Sequence, residues 1–400
     1  MTENTAELTH ARKKKIVLVY ANTGGGHLSA ARAIETAINE RHPGQYDISL
    51  FNIAVASGSK PVTMLYDSYN LMLKASPRYA RPGMTLLNAL NAEKAIMPFF
   101  PLAFKNIVQS LKDEAPAIVV SVHPIVNHAL LRALKELGWY GRVPYVIVCT
   151  DLTNNFLKGW ANTEATRIIT FTDMAKAQMM TFGVPEEKIV LHPGFAVGPA
   201  FFLDTHTKEE CRAELRLKQD VFTILVSMGG MAIPRKTKAA VKELLKSDLP
   251  LQLLVICGMN YSLQRQMRLL SRCSGGRMRV YGFTRKVAKL MTAADLMIAK
   301  PGPGFIMEAV IKELPMLLDH VSTPMPQELG NLNFAVREGV AQSYTHYRDL
   351  PGMVEQLLHD SASYLQMKQE MKRIKNTNAI YEVANTILGQ LPADPPVSAG

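Results

Sequence analysis

Cysteine is scarce, with four in 400 residues, and none stands in a CxxC or metal-ligand spacing, which excludes a disulfide-stapled or zinc-built fold. Cys149 and Cys257 lie in apolar runs and Cys211 and Cys273 stand apart, so all four are expected as free thiols in a reducing compartment. No stretch approaches the ~18 to 20 continuous apolar residues of a membrane span. The first ten residues are polar, and Lys13-Lys14-Lys15 leads into a short strand rather than an apolar signal region. These absences predict a cytoplasmic protein, soluble or held peripherally at the inner face of the cell membrane. Acid is the scarcer charge, 34 Asp+Glu against 45 Lys+Arg for a net of +11, so an anionic partner is favoured. Nucleic acid is not expected, because no binding motif accompanies that charge. Nor is there an internal repeat of solenoid period.

The chain alternates strand-like and helix-like runs. Ile16 to Tyr20 reads as a first buried parallel strand, followed by Asn22-Thr23-Gly24-Gly25-Gly26-His27 and a helix over 28–40. Further strands are expected at 47–52, 117–122, 145–150 and 167–171, with helices over 126–137 and 175–182. Leu191 to Pro199 is rich in Gly and Pro and reads as an interdomain crossing. A second series follows, with strands at 222–228, 251–257, 278–281, 296–299 and 315–318, a helix over 327–338 and a helical tail over 365–388 broken near Asn376-Thr377-Asn378. This is a doubly wound α/β pattern in two domains, 1–200 and 201–375, with a tail over 376–400.

The glycine loop after the first strand is not a dinucleotide fingerprint. That motif requires a small residue where Ser29 stands and an acid where the second strand ends in Asn52. The loop instead lets backbone approach a ligand and sets His27 at a helix start, where the dipole disfavours imidazolium. His27 either faces a cleft as a neutral base or caps its own turn. His123 and Asp151 each follow a strand's C-terminal end, and either line the same cleft or bond their loop neighbours.

Leu296 to Glu308 reads as strand, tight loop, helix: Lys300-Pro301-Gly302-Pro303-Gly304 would present backbone amides and a cation to phosphate, and Glu308 would accept ribose hydroxyls. The plainer alternative is a strand-to-helix turn with Glu308 on the helix dipole. From Lys60 to Lys112 there are seven basic residues, two acids (Asp67, Glu93), aromatic Tyr66, Tyr69, Tyr79, Phe99, Phe100 and Phe104, and breaks at Pro77, Pro82, Pro98 and Pro101. These are either amphipathic pieces that dip into a lipid interface or a helical insertion with its aromatics in the core.

Taken together, Gly24-Gly25-Gly26-His27, Ser121-Val122-His123-Pro124, Thr150-Asp151-Leu152, Gly282-Phe283, Lys300 to Glu308 and Gln327-Glu328-Leu329-Gly330-Asn331 resemble an inverting GT-B glycosyltransferase. The similarity is to the galactolipid synthase and processive diacylglycerol glucosyltransferase group of glycosyltransferase family 28, and spans roughly residues 16 to 345. It implies two Rossmann-like domains facing a cleft, a UDP-sugar donor, a diacylglycerol or glycolipid acceptor, an anionic membrane surface, and neither metal nor cofactor. It also implies His27 as the base for the acceptor hydroxyl, with Asp151 in the catalytic group. Gly25, Gly26, Gly229, Gly230, Lys300, Gly302, Pro303 and Gly304 would surround the diphosphate, the backbone at Phe283 the uracil, Glu308 the ribose, and Gln327, Glu328 and Asn331 the sugar. Pro326 stands where the family has a glycine, and Gly229 to Arg235 is poorer in glycine than the family's loop, changes near the sugar and acceptor rather than the uridine diphosphate. The alternatives on this fold are a UDP-GlcNAc-dependent lipid-intermediate transferase, a UDP-sugar 2-epimerase, a transferase for a soluble acceptor, or a non-enzymatic, membrane-attached nucleotide-sugar binding module.

Overall fold

The computed structural model describes residues 13–21, 25–64, 67, 100–230, 232–322 and 325–393. Gly24, the N-terminal twelve residues, the final seven, and most of the basic aromatic stretch, including Tyr66, Tyr69, Tyr79 and Phe99, lie outside the described residues.

The first lobe carries β1 (Lys14–Tyr20), α1 (Gly26–Arg41), β2 (Tyr46–Asn52), α2 (Ile53–Ala56), α3 (Pro101–Glu114), β3 (Ile118–Ser121), α4 (Asn127–Glu136), β4 (Tyr145–Val148), β5 (Arg167–Thr170), α5 (Asp173–Thr181) and β6 (Ile189–Leu191). Its strands pair in parallel in the order β2-β1-β3-β4-β5-β6, with Ile16 opposite both Ile48 and Ile118. Ile16 to Val19 are fully buried, as a parallel strand covered on both faces requires.

The second lobe carries α6 (Lys208–Glu214), β7 (Phe222–Ser227), α7 (Pro234–Lys246), β8 (Leu251–Ile256), α8 (Tyr261–Arg272), β9 (Met278–Tyr281), α9 (Val287–Ala293), β10 (Leu296–Ala299), α10 (Pro303–Ile311), β11 (Met316–Asp319), α11 (Pro326–Arg337) and β12 (Ala341–Tyr344). The order here is β12-β11-β10-β7-β8-β9, with Ile224 between Leu296 and Leu253. Two six-stranded parallel sheets with flanking helices make the architecture GT-B. The edge strands β6 and β12 were not expected. Ile189–Leu191 is three residues long and runs into the presumed linker, and Ala341-Gln342-Ser343-Tyr344 has no apolar run.

Each sheet reverses its winding direction once, between β1 and β3 in the first and between β7 and β10 in the second. At such a point the two crossovers leave on opposite faces and open a crevice at the strands' C-terminal ends. Gly25, Gly26 and His123 sit at the first crevice. Gly229-Gly230 and the Lys300–Gly304 loop sit at the second.

Helices α12 (Leu350–His359) and α13 (Ser361–Ile374) complete the second lobe, and α14 (Ala379–Leu388) returns to pack on α1. There Tyr381 donates to Glu40 at 2.7 Å and Arg41 lies 4.2 Å over its ring. The stretch expected as a tail over 376–400 therefore contains a helix seated on the first lobe.

Candidate active site

Gly25 caps α1 with φ +93°, a left-handed conformation open to glycine, and so starts the helix one residue before His27. His27 does not cap its own turn. Its Nδ1 lies 2.7 Å from the Val122 carbonyl oxygen, which only accepts, so Nδ1 carries the hydrogen and the ring's lone pair is on Nε2. Thr150 Oγ1 lies 3.3 Å from the same nitrogen, and the His123 ring packs edge-on at 4.4 Å. His27 keeps a partly exposed edge, yet desolvation lowers its pKa to about 4 against the opposing pull of the Val122 carbonyl. At neutral pH it is an uncharged base.

His123 is buried and accepts the Ile125 N–H at 3.3 Å, so it both bonds its own loop and buttresses His27. Burial, and then the neighbouring His27, hold its pKa well below the usual histidine value. Asp151 accepts from the indole N–H of the fully buried Trp160 at 2.8 Å. Burial raises its pKa to about 6, and the Trp160 hydrogen bond partly offsets this. The C-terminal ends of β1, β3 and β4 thus gather His27, His123, Thr150, Asp151 and Trp160.

In the second lobe the amides are placed differently from the expectation. Gly302 N–H turns back on the Lys300 carbonyl at 2.8 Å, and Pro303 has no N–H, so the donors left at the start of α10 are Gly304 and Phe305. A Cβ on Gly229, whose φ is +84°, would stand 3.4 Å from Lys300 Cδ and closer to Cε, so glycine there lets the lysine cross the loop. Lys300 Nζ reaches Glu328 Oε1 at 2.8 Å. Burial pushes the Glu328 carboxyl up, but Lys300 first and then Lys236 outweigh it and hold it below its ordinary value. Glu328 is therefore tied through one carboxylate oxygen to the phosphate-side cation. Asn331, buried, donates to the Pro301 carbonyl at 3.4 Å and pins the loop. Gln327 lies half-buried in the first turn of α11. Phe283 is 63% exposed beyond β9, next to Gly282, whose N–H reaches the Gln264 amide oxygen at 3.0 Å.

Glu308 sits in the second turn of α10 and makes no side-chain hydrogen bond among the described residues. A carboxylate favoured by the helix dipole would titrate low. Burial instead raises Glu308 to about 8, leaving a protonated, desolvated acid beside the phosphate loop. Two ribose hydroxyls would stabilise its ionised form, so UDP binding near pH 7 should release a proton from Glu308. Calorimetry in buffers of different ionisation heat should show this release in the parent and its loss in Glu308→Gln. Glu308→Ala should weaken UDP by about tenfold, and an unchanged dissociation constant would sink the ribose role.

The lobes meet closely. A Cβ on Gly25 would lie 3.9 Å from Gly230 Cα, and Gly330 of α11 packs against Thr153 and Asn155 of the loop after β4. Gly258, after β8, carries φ +51° with no room for a side chain beside Gly230. Sequence reasoning missed Gly258 and the Phe305 amide. Gly258 carried the signal that marked Gly229, a glycine at the C-terminal end of an apolar run. Among the described residues, no group of three His, Cys, Asp or Glu is arranged to hold a metal ion.

Two Rossmann-like lobes whose glycine loops meet across both switch points, one offering a neutral imidazole and the other amides, a lysine and a buried acid, define a GT-B glycosyltransferase. Residues 27–192 match the family described as monogalactosyldiacylglycerol (MGDG) synthase, and residues 223–387 match the glycosyltransferase family 28 C-terminal domain. Together the two matches span most of the chain, a UDP-sugar-dependent hexosyltransferase of the family 28 type that resembles the MGDG synthases. It is 26% identical to a probable chloroplastic MGDG synthase of Glycine max, over 94% of this chain and 71% of that protein. It is also 26% identical to chloroplastic MGDG synthase 1 of Arabidopsis thaliana, over 94% and 70%. In fold it is similar to Staphylococcus aureus MnaA solved with UDP (TM-score 0.62, 14% identity, 97% of this chain and 100% of that one). Acinetobacter baumannii MurG is also similar (TM-score 0.57, 14% identity, 94% and 100%).

Proposed function

We propose that this protein transfers a hexose from a UDP-sugar, with inversion, onto the hydroxyl of a diacylglycerol-type lipid at a membrane surface. The observation that carries the reading is the neutral His27, its tautomer set by Val122, at a crevice faced by the phosphate loops of the other lobe. The acceptor hydroxyl gives its proton to His27 Nε2 while its oxygen attacks the sugar's C1 from the side opposite the diphosphate. The bond from C1 to the phosphate oxygen breaks, and the amides of Gly304 and Phe305 with Lys300 meet the charge on the leaving UDP. We propose that these groups suffice without a metal or cofactor. Asp151, its pKa raised to about 6, sits on the acceptor side, where it orients the hydroxyl.

The lipid acceptor is supported by the MGDG synthases among the relatives and by apolar side chains at both ends of the basic aromatic stretch. Met64 is 65% exposed and Leu102, in the first turn of α3, 70% exposed. Phe104 is instead buried in the core, with Arg132 4.2 Å over its ring, so that aromatic is structural. No helix among the described residues is long and apolar enough to cross a membrane, and we place the protein peripherally at the inner face of the cell membrane. Purified protein should co-sediment with vesicles containing anionic lipid and, given a panel of UDP-sugars and diacylglycerol, yield a glycosyl-diacylglycerol by mass. Equal partitioning with and without anionic lipid would sink the membrane reading. Conversion of the UDP-sugar without acceptor would favour an epimerase instead.

A further inference from the structure

The donor lobe carries a charged face that neither the nucleotide site nor the basic aromatic stretch accounts for. Helices α7 and α8 flank β8 and are tied together by Lys238, which donates to Gln266 at 2.8 Å. Between them they hold eight basic residues, Arg235, Lys236, Lys238, Lys242, Lys246, Arg265, Arg268 and Arg272, and a single acid, Glu243. By contrast α12 and α13 carry two acids, Glu355 and Glu370, and three Lys or Arg residues. Lys236 pairs with Asp319 and Lys246 with Glu243, but Arg235, Lys242, Arg265 and Arg272 have no carboxylate partner among the described residues. Arg235, Lys238 and Lys242 also line a shallow groove of about 510 Å³ along α7 with Pro234 and Ala239, no acid among them.

Unpaired cations alone describe any solvated face. What sets this one apart is the apolar surface interleaved with them. Tyr261 is 81% exposed and Leu269 53% exposed, and at the spacing 261, 265, 268, 269, 272 they share one stripe of α8 with Arg265, Arg268 and Arg272. Leu263 and Met267 fill the opposite, buried face. A helix showing aromatic and aliphatic side chains between arginines, with no acid, matches an anionic bilayer interface, where chains enter the acyl boundary and guanidinium groups stay among headgroup phosphates.

We infer that the outer face of α7 and α8 is a second anionic-membrane contact, so that the donor lobe docks on lipid independently of the acceptor lobe. This rests on the peripheral-membrane reading above and adds to it a surface on the other lobe. Lipid is favoured over nucleic acid because the stripe offers one exposed aromatic on a convex helix rather than a stacking platform in a groove.

Cys273, the exposed thiol at the end of α8, gives a direct test, since Cys149, Cys211 and Cys257 are buried. An environment-sensitive dye on Cys273 should shift to the blue with vesicles of phosphatidylcholine and phosphatidylglycerol lacking diacylglycerol, and lose the shift at high salt. Lys242→Glu/Arg265→Glu/Arg272→Glu should bind those vesicles about tenfold or more weakly and keep the parent's UDP affinity, which shows that it folds. Tyr261→Ser/Leu269→Ser should weaken vesicle binding without changing net charge. If the parent binds vesicles while the dye stays unshifted and the triple variant partitions like the parent, or loses only nucleic-acid retention, the second surface is overturned and the peripheral-membrane reading stands. If the parent binds no vesicle, both fall.

Discussion

His27→Ala is expected to lower kcat by about 10² or more while UDP affinity stays within a few fold, because the imidazole acts on the acceptor's proton and not on the nucleotide. The size follows from the tautomer. With Nδ1–H held by the Val122 carbonyl, Nε2 is the ring's basic position, and removing the ring leaves the buried His123, its basicity suppressed by burial, and Asp151 on that side of the crevice. The pH behaviour is a second readout. A folded pKa of about 4, below the ordinary 6.5, means that the acid limb due to His27 falls near pH 4. Asp151, raised to about 6, should contribute a separate inflection that Asp151→Asn removes. Between pH 4 and 6.5 the unfolded chain binds a proton at His27 that the native state does not, so this residue's share of stability rises with pH across that window. His27→Ala should flatten that part of the stability curve. An alanine variant with parental turnover would leave the nucleotide site standing and remove the proposed base.

Gly258→Ala is expected to cost kcat/KM about as much, from the other lobe and by another route. At φ +51° an L side chain costs roughly 1–2 kcal/mol. The added carbon would stand 2.7 Å from the Gly230 carbonyl carbon and closer still to its oxygen, the atom that accepts the Met259 N–H at 3.1 Å. Both collisions are with backbone, so no rotamer relieves them and the loop after β7 must move. That loop carries Gly229, over which Lys300 crosses, and Gly230, which meets Gly25 of the first lobe. UDP affinity should therefore fall with turnover, and Tm should drop by several degrees. Gly352→Ala in α12, where an added carbon meets nothing within 4 Å, is the control and should leave both unchanged. A Gly258→Ala protein that binds UDP like the parent would free the β7 loop from any part in nucleotide binding.

Both crevices were legible in the sequence because their signals are local. A buried apolar run followed by glycine marks a strand's C-terminal end wherever it occurs, and two such series place His27 and Glu308 at strand-to-helix turns from the sequence alone. The remainder depended on partners distant in the chain. That Lys300 engages Glu328, that Trp160 holds Asp151, and that Lys236 pairs with Asp319 at 2.7 Å are consequences of tertiary closure with no signature in spacing. The Gly302 amide was misjudged because a Gly-Pro step fixes where a helix begins but not which way the preceding N–H turns. The edge strands β6 and β12 were missed because a short strand paired on one side only needs no long apolar run.

The return of α14 to the first lobe also bears on how the enzyme admits its substrates. The chain passes between the lobes twice, near residue 194 and again near 376, and the two passages lie side by side. Asn376 donates to the Pro193 carbonyl at 2.6 Å, and a carbon on Gly194 would stand 2.8 Å from Ala379 Cβ. The two crossings, joined by the Asn376 side chain, make a paired connection rather than a single tether. Any opening of the crevice between the lobes must therefore bend both crossings together, which limits how far either lobe can turn independently.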